Sequence, residues 1–73
     1  MKPLKWIEKN CNCDVTIIKA KKIFEQSILL YEMGDNETKK MYIKQVKDNL
    51  KNSDLYAEFY TLSAKAFIKY YSL

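Results

Sequence analysis

One glycine and one proline in 73 residues leave this chain very few ways to turn. A β-domain of this size needs several turn residues at short spacing, and here the stock of strong breakers is Pro3 and Gly34. Long helices joined by a few breaks are what remains. The expected fold is all-α: a small helical bundle of three long helices plus a short N-terminal helix. Short connections make the neighbours antiparallel, and residues 1–73 read as a single helical domain.

The breaks can be placed by residue type. Pro3 suits the first turn of a short helix reaching about Asn10, with Leu4 and Ile7 on one side. The stretch NCNCD, residues 10–14, interrupts it, because Asn and Asp bond their own backbone in competition with helix. Asp14 is the expected N-cap of a helix from Val15 to Met33. Its apolar face would gather Ile17, Ala20, Ile23, Phe24, Ser27, Ile28, Leu30 and Tyr31. Gly34 has the place of a helix-ending glycine, and Asp35 that of a cap for a third helix over 36–51. Tyr42, Ile43, Val46 and Leu50 form that helix's apolar side. NSD at 52–54 supplies the last break, with Ser53 as cap of a fourth helix running nearly to the end.

That closing stretch, LYAEFYTLSAKAFIKYYSL, carries more apolar surface than one helix needs. At about 100° per residue, Leu55, Phe59, Leu62, Ala66, Tyr70 and Leu73 share one side. Tyr56, Tyr60, Phe67 and Tyr71 make a second line beside it. A helix apolar nearly all round is a buried one, so the second line needs a cover. A chain of this length is close to the size at which a single core becomes marginal, while 48% apolar residues is a normal globular share. Cys11 and Cys13, one residue apart, cannot staple distant segments. A partner chain is therefore expected, with a homodimer through Tyr56, Tyr60, Phe67 and Tyr71. Trp6 is either a lid over the bundle or part of the same surface.

Few chemistries suit this inventory. Histidine is absent, which removes the residue best suited to proton transfer near neutral pH. No carboxylate falls inside an apolar stripe, and no phosphate loop or nucleophile motif is present. The chain is expected not to be an enzyme and to need no cofactor. Cys11 and Cys13 could supply half of a zinc site only if a symmetric dimer brought two pairs together; otherwise they are small turn residues. No metal site is assigned.

Charge offers one more pattern. Lys40, Lys44, Lys47 and Lys51 line one side of the third helix, and the net charge is +4. They form either a solvated face or an anion-binding one, for nucleic acid or another acidic partner. Every basic residue is Lys, however, so the bidentate fork of Arg is lacking, and Glu37 and Asp48 dilute the field. The leading expectation is a small non-enzymatic helical protein that binds another protein as a regulator, adaptor or inhibitor. Its size and its Lys-, Asn-, Ile- and Tyr-rich composition fit a phage or mobile-element origin. The alternative is a nucleic-acid-binding accessory protein using the Lys face. Apolar runs broken by lysines give no membrane span and no secretory leader, leaving the cytoplasm as the default compartment.

Overall fold

The computed structural model describes residues 2–73, and the chain is all-α, with no strand among those residues. Helix α1 is Lys2–Lys9, α2 is Asp14–Met33, α3 is Asn36–Lys51 and α4 is Glu58–Tyr71. A 3-10 turn, Ser53–Leu55, precedes α4. Helix α4 is the centre of the bundle: it packs on α2 most extensively and on both α1 and α3, whereas α2 meets α1 and α3 only lightly. The bundle measures 36 × 27 × 18 Å, so its thinnest dimension is about two helix diameters.

The core is assembled from three helices and one break. Ile7 of α1, Ala20 and Phe24 of α2, and Leu62, Ala66 and Phe67 of α4 meet there, joined by Cys11. Alanines 20, 64 and 66 are small enough to let the helices approach closely, since interaxial distance follows the contacting side chains. Helix α3 contributes no fully buried residue. Tyr42, Ile43 and Val46 lean on the core from one side, so α3 is a half-sunk cover rather than a core element.

The helix ends differ from the sequence expectation in three places. Asp14 is the first residue of α2, and Cys13 holds the N-cap position with extended backbone. Gly34 ends α2 at φ −80°, ψ 156°, so its freedom at positive φ is not used. A Cβ there would lie 3.1 Å from the methyl of exposed Thr38, a tight contact that asks this side chain to give by a few tenths of an ångström. Asp35 does cap α3 as expected, its carboxylate accepting from the Thr38 amide at 2.8 Å. Helix α4 begins at Glu58 and not near Ser53, with Tyr56 and Ala57 extended before it. Asn52, Ser53 and Asp54 all favour turns over helix interior, and the break they start runs three residues further than their own positions.

The chain's only left-handed residue among those described is Ser72, at φ 55° and ψ 44°. The Leu73 amide there donates to the Ile68 carbonyl at 3.0 Å and the Ser72 amide to Lys69 at 3.3 Å, the double closure of a Schellman ending. Two expected core faces also need correction. Leu30, placed on the inner face of α2, is 59% exposed. Leu55, Tyr70 and Leu73, placed on the seam of the last helix, are exposed too, because Leu55 precedes α4 and the other two lie at its end.

Candidate functional site

The second aromatic line of the closing stretch divides into two halves with opposite fates. Phe67 is 1% exposed and sits in the core. Tyr71 is half-buried beside it, ring centroids 4.9 Å apart. Tyr31 of α2 and Tyr42 of α3 close on Phe67 at 5.2 and 5.5 Å, so one cluster of rings ties α2, α3 and α4 together at one end. The Tyr71 hydroxyl donates to Glu32 Oε1 at 2.6 Å. Burial first, and then the Glu32 carboxylate, push the Tyr71 phenol well above the usual tyrosine range. Phe67 therefore does not stand on the outer surface with Tyr56 and Tyr60, and the four residues expected from periodicity do not form one exposed patch.

Tyr56 and Tyr60 are the other half, 47% and 45% exposed. They border a cleft of about 660 Å³ that opens between α3 and α4 where α3 leaves the aromatic cluster. Ile23 and Ser27 of α2, Val46 of α3, and Ala64 and Phe67 of α4 line it. Its volume lies within the range of pockets for small ligands or partner side chains. Asn49 lines it as well, and the Asn49 Oδ1 is buried with no hydrogen-bond partner. A buried acceptor left unpaired costs on the order of 1–3 kcal/mol, so Asn49 is a costly residue to place at the wall of this cleft. Thr61 Oγ1 is also unpaired, outside the cleft lining. Asp48 is the one charged residue in the lining, with no lysine. The space suits an apolar or aromatic group, and does not suit a phosphate.

The remaining candidates lie elsewhere. Lys40, Lys44, Lys47 and Lys51 are all exposed, away from the cleft. Trp6 is half-buried on α1, with the Lys69 ammonium 5.5 Å above its ring, so it caps the α1–α4 seam and is distant in role from Tyr56 and Tyr60. The two cysteines are free and differ in setting: Cys11 is buried in the core and Cys13 is exposed. The Thr16 hydroxyl and amide face the Cys13 sulfur and hold its thiol below the ordinary range, without a formed capping hydrogen bond. Among the described residues no three His, Cys, Asp or Glu side chains converge as a metal site.

Periodicity did not flag the outer side of α2. Val15, Ile18, Leu29 and Met33 are exposed by 60%, 66%, 61% and 76%. They lie opposite Ala20, Phe24 and Ser27, the buried face of the same helix. Counting apolar residues on the far side of α2, as was done for the last helix, would have found them. Compared with known proteins, the chain matches no family model, no curated protein and no solved structure.

Proposed function

We propose that this is a non-enzymatic protein-binding module of the regulatory or adaptor kind, which receives an apolar or aromatic side chain of a partner protein in the cleft beneath α3. One observation carries the reading: Tyr56 and Tyr60 stand exposed at the border of a cleft lined by Ile23, Val46 and Ala64. Tyrosines at the edge of a concave site give large contact area at small entropic cost and keep a polar tip, the usual equipment of a binding hot spot. A partner side chain seated there would cover both rings. Helix α3, without a fully buried residue, is the element best able to adjust to different guests. We read the cytoplasm as its place of work, with both thiols free.

No helix among the described residues is long and apolar enough to cross a membrane. The second reading, nucleic-acid binding through Lys40, Lys44, Lys47 and Lys51, keeps one observation in its favour, their full exposure on a single helix. The two separate in one experiment. Immobilised wild type, a Tyr56→Ala/Tyr60→Ala variant and a Lys44→Glu/Lys47→Glu variant are exposed to the same host extract, and bound protein and nucleic acid are quantified. The proposal expects a protein retained by wild type and by the lysine variant but lost from the tyrosine variant. Nucleic acid retained by wild type, released steeply with salt and lost only from the lysine variant would replace it.

A further inference from the structure

We infer that the outer face of α2 is covered by a second copy of this chain, lying antiparallel across a two-fold axis that passes between Lys22 and Glu25. At about 100° per residue, Val15, Ile18, Lys22, Leu29 and Met33 fall within a sector of about 60°, with Glu25 at its edge. All are exposed. The face is thus apolar at both ends and charged in the middle, over a length of about 27 Å at about 1.5 Å per residue.

Along that face the apolar positions are nearly symmetric about the midpoint, and the two central charges are opposite in sign. Ile18 and Leu29 are equally far from the midpoint, about 8 Å on either side at the helical rise, and Val15 and Met33 follow further out. Turning a second α2 end for end therefore sets Ile18 against Leu29, Val15 against Met33 and Lys22 against Glu25, each contact made twice. This self-complementarity is what an isologous interface requires. A parallel arrangement would place Lys22 against Lys22 and Glu25 against Glu25, and like charges facing each other select against it.

A second observation points the same way. Five charged side chains lie between Lys19 and Glu32 on α2, and three are already engaged within the chain. Lys19 sits over the Phe59 ring at 5.3 Å, Lys21 pairs with Glu8 of α1, and Glu32 accepts from Tyr71. Lys21 holds the Glu8 carboxyl below its usual range by that bond. Lys22 and Glu25 are the two without a partner among the described residues. They are the pair the second copy would satisfy.

The test is sedimentation equilibrium. A single pair of helix faces is at the small end of interface sizes, so association is expected to be weak and to develop between about 10 and about 500 µM. Lys22→Glu and Glu25→Lys should each weaken the dimer at least about tenfold by setting like charges against each other. An equimolar mixture of those two variants should associate again as a heterodimer, since each then meets its opposite charge twice. Circular dichroism should show all of them folded, because both positions are exposed. Tyr60→Glu, in the cleft and off this face, should leave the dimer intact whether or not the cleft binds a partner. A wild type that stays monomeric to the highest concentration overturns the inference. So does a dimer indifferent to both reversals, a mixture that stays monomeric, or a dimer dissolved by Tyr60→Glu.

Discussion

Helices α2 and α4 start from the same kind of sequence, with more apolar surface than one neighbour can cover, and they end in different situations. Helix α4 has α1, α2 and α3 around it, so Leu62, Ala66 and Phe67 are all covered although they point in different directions. Helix α2 lies at the outside. Its inner face holds Ala20 and Phe24, while Ile18, Leu29 and Met33 on the far side remain uncovered. The difference teaches that a helix apolar on two sides states a demand for two neighbours, not where those neighbours come from. For α4 the same chain supplies them. For α2 it does not, and the second copy we infer would supply one.

The sharpest way to break this comparison is to truncate one residue on each side of it. Phe67→Ala empties a site walled by Tyr31, Tyr42 and Tyr71 and should cost about 3–5 kcal/mol in urea denaturation. Leu29→Ala at a concentration where the chain is monomeric should change stability by less than about 0.5 kcal/mol. Equal losses would mean that α2's outer face is as internal as α4's.

The hydroxyl of Tyr71 probes the tie between the two helices, since it reaches Glu32 of α2. Tyr71→Phe keeps the ring and removes that bond, at a cost of about 1 kcal/mol with so exposed an acceptor. Its signature is alkaline. A tyrosine raised in the folded state stabilises the fold fully below its unfolded value, about 10, and that contribution fades as pH rises beyond it. Because Tyr71 is raised by burial and by Glu32, the wild type should lose stability above about pH 10 more steeply than Tyr71→Phe does. Matching alkaline slopes would show that the bond to Glu32 does not hold α4 to α2.

The smallest effect sharpens the comparison at one helix end. Ser72 occupies the left-handed position that closes α4, a conformation disfavoured for any residue with a Cβ. Ser72→Gly should stabilise the chain by about 0.5–1 kcal/mol in thermal denaturation. No gain would mean that the end of α4 is frayed and that its Schellman closure contributes little.

Much of this protein was legible before its structure. Scarce breakers dictated helix, Asp35 marked the start of α3 by a carboxylate that only a cap position could use, and Gly34 marked the end of α2. Local signals of this sort act within one turn, so they survive any tertiary arrangement. The start of α4 escaped because Asn52, Ser53 and Asp54 announce a break without saying how long it lasts, and the extension through Tyr56 and Ala57 depends on where α4 must land. The candidate cleft was half visible. Tyr56 and Tyr60 stood out as surplus aromatics, but Asn49 gave no sign, since a polar residue between Asp48 and Lys51 looks like any solvated one until its oxygen is buried without a donor.

The sequence by itself determined the class of fold, the number of helices and the amount of apolar surface to be covered, because each follows from residue type and from spacing along a helix. Which helix takes the centre was decided only by tertiary packing. Two amphipathic patterns of similar width are interchangeable until the small side chains of Ala64 and Ala66 and the ring of Phe67 are fitted against actual neighbours. Close packing rewards that fit over distances no local pattern records, and it set α4 inside and left one face of α2 outside.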